Sequence, residues 1–182
     1  GPQCVYLPLC IDKVDHEDAK FDTNQVTVMG RLSSEKAYDD MLRVFVKVLE
    51  QNPSAHLNIV GDGEERHNLS VLADRLGIAD SVTFYGNKVG KEKSRILENT
   101  SVFVTTSHYE SFGLVLLEAM DYGIPCLSFD SAKGSLDIIE DGKDGYIIKN
   151  RDLDQMANKL VELLNNPSKE LSKNAKDKAN SY

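Results

Sequence analysis

Apolar residues recur along this chain in two alternating periods. Gln25-Val26-Thr27-Val28-Met29-Gly30-Arg31 is a short apolar run closed by glycine, which predicts a strand. Over residues 37–51, Met41, Leu42, Phe45, Val48 and Leu49 fall at helical spacing, and Pro53 stops the pattern. Leu57-Asn58-Ile59-Val60 predicts a second strand, closed by Gly61-Asp62-Gly63. Leu69, Leu72 and Leu76 then mark a helix over 65–76 that ends at Gly77. The alternation continues with a strand over 81–85, a helix over 91–99, a strand over 102–105, a helix over 111–122 and a strand over 125–129. A short helix over 135–140, a strand over 146–148, an amphipathic helix over 153–164 and a polar helical tail complete the pattern.

Strands that alternate with helices of this length need crossover connections. The predicted fold is therefore α/β, a Rossmann-like parallel sheet with helices on both faces. Residues 1–25 lack a clear period, hold the acidic cluster from Asp12 to Asp22, and read as a strand end and linker. The expected organisation is a linker over 1–25, one folded domain over 26–165 and a helical tail over 166–182. Ligands of such sheets sit outside the carboxyl ends of the strands. Four segments should meet on that rim: Gly30 through Lys36, Gly61 through Gly63, Gly86 through Val89, and Ser107 through Leu114.

Composition narrows the classes. A chain of 182 residues with 41% hydrophobic and 27% charged residues suits one soluble α/β domain. A formal charge of −8 argues against a broad nucleic-acid footprint, though not against a small anion held by one Arg, one Lys and a helix N-terminus. Three cysteines without framework spacing, no CxxC pair and four scattered histidines predict neither a disulfide scaffold nor a zinc site. No apolar run reaches the ~18 residues of a membrane span, and no signal peptide is visible. The expected setting is reducing and cytosolic. Gly1-Pro2 and Asn180-Ser181-Tyr182 read as cut edges rather than natural ends.

The densest chemistry lies between Ser107 and Met120. Glu110 and Glu118 stand eight positions apart, one ahead of a predicted helix and one in its third turn. Ser111 is placed to act as N-cap, and Gly113 leaves room for a bulky group at the first-turn N–H groups, an arrangement suited to a phosphate. On spacing alone, Glu110 equally fits a partner of the helix dipole and Glu118 a solvated surface residue.

The run Ser107-His108-Tyr109-Glu110-Ser111-Phe112-Gly113-Leu114 through Glu118-Ala119-Met120, with Gly123 and Pro125, resembles the E-x(7)-E region of retaining glycosyltransferases of the GT-B fold, especially glycosyltransferase family 4. It departs at Ser111, where that family usually has Gly, and at Asp121, where a small residue is usual. Gly30-Arg31-Leu32 with Lys36 resembles the family's G-R-L-x-x-x-K, Val60-Gly61-Asp62-Gly63 its V-G-D-G turn, and Val82-Thr83-Phe84-Tyr85-Gly86 its V-x-F-x-G. Ile138 through Gly145 resembles its I-I-x-D-G-x-x-G turn, with a structural role. The similarity covers about residues 26–165, and residues 129–137 are similar to bacterial members that use UDP-hexoses or UDP-N-acetylhexosamines.

The resemblance implies one Rossmann-like half of a GT-B fold and a set of roles. Arg31 and Lys36, beside Gly30, would neutralise the donor diphosphate. Backbone N–H groups around Phe112, Gly113 and Leu114 would add donors. Glu110 would hold the transferred sugar and Glu118 the ribose. Gly61 belongs to a turn near the nucleotide, and Lys88 and Val89 lie where the base should sit. Glu110, Arg31 and Lys36 are thus the catalytic candidates, with no metal ion expected. His108 is expected to be an ordinary loop residue. The acceptor, a glycan or lipid-linked molecule, would sit on a preceding domain. The implied task is bacterial surface polysaccharide synthesis, in the cytoplasm or peripherally on the inner face of the membrane. The alternatives are a non-catalytic GT-B-like partner subunit and a nucleotide-sugar epimerase.

Overall fold

The computed structural model describes residues 15–110 and 113–182. Among these residues, six strands form one parallel sheet: β1 (Gln25–Met29), β2 (His56–Val60), β3 (Val82–Gly86), β4 (Val102–Thr105), β5 (Cys126–Phe129) and β6 (Gly145–Ile148). Their spatial order is β3-β2-β1-β4-β5-β6. The order reverses between β1 and β4, which is where a doubly wound sheet opens a crevice at its carboxyl edge.

Among the described residues, seven α-helices connect and cover the strands: α1 (Tyr38–Gln51), α2 (Arg66–Arg75), α3 (Gly90–Glu98), α4 (Leu114–Met120), α5 (Lys133–Ile138), α6 (Leu153–Asn165) and α7 (Lys169–Asn180). The period-2 alternation of each strand sorts its side chains between two cores. Val26, Val28, Leu57, Ile59, Val104, Leu127 and Phe129 face a core with Phe45 of α1, Leu69 of α2 and Leu160 of α6. Met29, Val60, Phe103 and Cys126 face the other core, with Leu97 of α3, Leu116 of α4 and Ala175 of α7. Both faces of the sheet are therefore buried, as the near-continuous apolar strands require.

Element boundaries shift by a few residues from the pattern. β1 ends at Met29 because Gly30, at φ +142°, turns the chain out of the sheet. α5 begins at Lys133 rather than 135 and stops at Ile138. The polar tail is α7, capped by Ser168, whose hydroxyl accepts the Leu171 N–H at 3.1 Å. It buries Leu171, Ala175 and Ala179 and packs on α4. Of the segment expected as a linker, residues 1–14 lie outside the described residues. Residues 15–24 form no strand; Ala19 is buried, and its N–H donates to the Tyr122 carbonyl at 2.9 Å. Among the described residues, no helix is long and apolar enough to cross a membrane.

Candidate functional site

The loops that leave β1, β2 and β3 are laced together by their backbones. The Gly30 N–H donates to the Val60 carbonyl at 2.9 Å, the Gly61 N–H to Gly86 at 2.8 Å, and the Leu32 N–H to Asp62 at 2.9 Å. This lacing explains Gly61. Its φ is +143°, and a Cβ there would run into the Gly30 carbonyl. The fourth expected segment joins from β4: the His108 N–H donates to Glu35 at 2.9 Å, and the Thr106 hydroxyl lies 2.9 Å from the carbonyls of Lys36 and Ala37. The four segments do meet on one rim.

Between the loops after β1, β2 and β3 and the helices α3 and α4 opens a cleft of ≈ 560 Å³, lined by Gly30, Arg31, Gly61, Lys88, Lys93 and Glu118 among others. Its cations Arg31, Lys88 and Lys93 are each paired with a carboxylate. Arg31 donates to Glu64 at 2.9 Å, Lys88 to Glu92 at 3.1 Å, and Lys93 lies 2.6 Å from Glu118. The Glu64 carboxyl is held below the usual carboxylate range, first by a hydrogen bond with its own backbone and then by Arg31.

Lys36 and Glu110 form a second, more sheltered pair at 3.4 Å, with 22% and 16% of their side chains exposed. They do not line the cleft itself, but the Lys36 stem passes close to Gly30, which does. Beneath them lies Tyr38, whose hydroxyl donates to the Gly30 carbonyl at 3.3 Å. Burial, and after it the charge of Glu110, push the Tyr38 phenol above its ordinary range. Tyr38→Phe is expected to lower stability by about 1 kcal/mol, the net worth of one neutral hydrogen bond. A thermal midpoint identical to that of the wild type would show that this bond contributes nothing.

Three expectations about α4 need correction. The helix starts at Leu114, and its N-cap is Gly113 in the left-handed region at φ +66°, with no side-chain cap. Ser111, expected in that role, lies outside the described residues, as does Phe112. On its Cβ side, Gly113 makes room for α5 rather than for a bulky ligand. A Cβ there would sit 2.8 Å from the Gly134 carbonyl and 2.9 Å from the Ile138 side chain, so the glycine lets α5 approach. Leu114 is half-buried and packs against the core on the α4 side of the sheet. Val89, expected near the base, is 78% exposed at the start of α3, outside the cleft lining.

Four residues escaped the sequence reading: Tyr38, Glu64, Lys93 and Arg151. Arg151 holds the rim from behind. Its guanidinium donates to Asp40 at 2.7 Å, to the Thr106 carbonyl at 3.0 Å and to Ser131 at 3.2 Å, and it stacks 4.5 Å over Phe129. It thereby ties α1, the loop after β4 and the end of β5 to one point. No local pattern around residue 151 announces this.

A rim of paired cations beside one loop carboxylate, Glu110, and one helix carboxylate, Glu118, at the switch point of a doubly wound sheet, has counterparts among known proteins. The family model for glycosyl transferases group 1 matches residues 12–181. The chain belongs to that family. Among curated group 1 relatives, an uncharacterised glycosyltransferase of Haemophilus influenzae is 33% identical over 149 residues, 82% of this chain and 42% of its own. The poly(ribitol-phosphate) alpha-N-acetylglucosaminyltransferase of Staphylococcus aureus is 29% identical over 155 residues, 85% of this chain and 31% of its own. A variant of Staphylococcus aureus TarM, solved with fondaparinux, alpha-GlcNAc-glycerol and UDP, matches 93% of this chain and 34% of its own, with TM-score 0.82 at 27% identity. The group 1 chain thus spans less than half the length of these relatives. The Rossmann-like sheet and the GT-B glycosyltransferase resemblance are both borne out.

Proposed function

We propose that this chain is the donor-binding half of a retaining glycosyltransferase. It would move a sugar from a UDP-hexose or UDP-N-acetylhexosamine to a glycan or lipid-linked acceptor of a bacterial surface polymer. The observation that carries this reading is the convergence at the β1/β4 switch point. Arg31, Lys88 and Glu118 line one cleft there, and the Lys36–Glu110 pair stands beside it. Two relatives support the chemistry: one is a poly(ribitol-phosphate) alpha-N-acetylglucosaminyltransferase, and one was solved with UDP.

In this reading Arg31 and Lys36 hold the diphosphate and stabilise the charge that develops as UDP leaves. Lys88 sits toward the base, Glu118 accepts from the ribose hydroxyls, and Glu110 accepts from hydroxyls of the transferred sugar. Cations of the protein take the place of a metal ion. Arg31, Lys36, Glu110 and Glu118 are all present, which favours an enzyme over a partner subunit that has lost its donor site. The acceptor and any membrane contact belong to residues outside this chain, on the cytoplasmic side.

Calorimetry with UDP, GDP and ADP tests the reading directly. UDP is expected to bind this chain weakly, with the same heat in the presence of a chelator, and no sugar transfer is expected from the chain alone. No heat from any of the three at millimolar concentration would sink the donor site. Transfer to an added acceptor by this chain would sink the view that it is half of an active site.

A further inference from the structure

One charge pair in the cleft differs from its neighbours. Lys93 and Glu118 lie 2.6 Å apart with 29% of each side chain exposed, against 69% and 59% for Arg31 and Glu64. The two come from different helices, Lys93 from α3 and Glu118 from α4, and both line the cleft. Directly beside them α3 is joined again, to the turn that follows α4. Ser94, next to Lys93, and Tyr122, one turn beyond Glu118, share a buried hydrogen bond of 2.9 Å between their hydroxyls. The pair therefore stands on a fixed base.

We propose that Lys93 is a positioning residue for the nucleoside end of the site. It clamps Oε2 of Glu118 and leaves Oε1 to accept from the ribose diol, so it sets a preference for ribonucleotides over 2′-deoxyribonucleotides. This rests on the donor-site reading above. A carboxylate offers about four lone-pair sites, and one ammonium engages only one oxygen closely. A free glutamate would have to be ordered when the ligand arrives, at a cost in side-chain entropy. Lys93 orders it in the empty protein, which is preorganisation. Because Glu118 neutralises Lys93 at contact distance, Lys93 adds little net field at the diphosphate. That work falls to Arg31 and Lys36.

The experiment titrates UDP, 2′-deoxy-UDP and inorganic pyrophosphate into the wild-type chain and into Lys93→Met, Lys93→Gln and Lys93→Arg. The wild type is expected to prefer UDP over 2′-deoxy-UDP by about tenfold, the loss of one charge-assisted hydrogen bond. Lys93→Met and Lys93→Gln should bind UDP roughly five- to tenfold more weakly, with the preference shrinking toward one and pyrophosphate binding unchanged. Lys93→Arg should keep the preference. Two uncharged variants allow the comparison even where one of them folds poorly. Pyrophosphate weakened as much as UDP would overturn the proposal, because Lys93 would then touch phosphate. An unchanged preference in both uncharged variants would overturn it as well. A wild type that binds pyrophosphate but not UDP would overturn the donor-site reading itself, before any variant is compared.

Discussion

Arg31→Ala is expected to cost the whole enzyme about 2–4 kcal/mol in kcat/KM, the range for removing one preorganised donor from a developing charge. The geometry explains why so exposed a residue should matter. Arg31 and Glu64 keep 69% and 59% of their side chains in solvent. An ion pair of that kind contributes about 0–1 kcal/mol. Its loss leaves folding almost unchanged, so stability and catalysis separate cleanly. The same weakness lets a diphosphate take the guanidinium from Glu64, since a bidentate Arg–phosphate contact outweighs a solvated carboxylate. Glu64→Gln is the control, and it should bind UDP as well as the wild type or more tightly. Thermal unfolding checks the first point, UDP calorimetry the second and steady-state kinetics the third. Kinetics unchanged in Arg31→Ala would return Arg31 to the status of a solvated residue at the end of a strand.

The order of elements was legible in the sequence because both faces of the sheet are buried. Apolar runs such as Val102 through Thr105 and helical stripes such as Met41, Leu42 and Phe45 record that burial directly. The convergence of the four loops followed from the parallel sheet alone, since every strand of such a sheet ends on one edge. Side-chain partners were not legible. Lys36 meets Glu110 and Lys93 meets Glu118 only because β4 inserts beside β1, a long-range pairing that no periodicity records. Gly113 shows the opposite error. Its place before a helix suggested a ligand, whereas the approaching group is the α5 backbone. Arg151 left no trace in the pattern, because its partners Asp40, Thr106 and Ser131 are spread over three separate segments.

Glu110→Gln and Glu118→Gln should part company, although the two residues are only eight positions apart. Glu118 lines the cleft, in the first turns of α4, with Lys93 against one oxygen. Its replacement should weaken UDP by about 1–3 kcal/mol, the worth of a charge-assisted hydrogen bond. Glu110 stands outside the cleft lining, 3.4 Å from Lys36 and 16% exposed. Removing its charge has two opposed consequences. The transferred sugar loses a charged acceptor, which should lower kcat/KM by about 3 kcal/mol if that contact tightens in the transition state. Lys36 meanwhile loses its carboxylate and turns its full charge toward a diphosphate, so UDP affinity should hold or rise. UDP affinity measured on this chain, with turnover measured on the whole enzyme, distinguishes the two carboxylates. Glu110→Gln weakening UDP while Glu118→Gln leaves it intact would mean that the two roles are exchanged. Both variants matching the wild type in affinity and turnover would leave Glu110 as a partner of the helix dipole and Glu118 as a surface carboxylate held by Lys93.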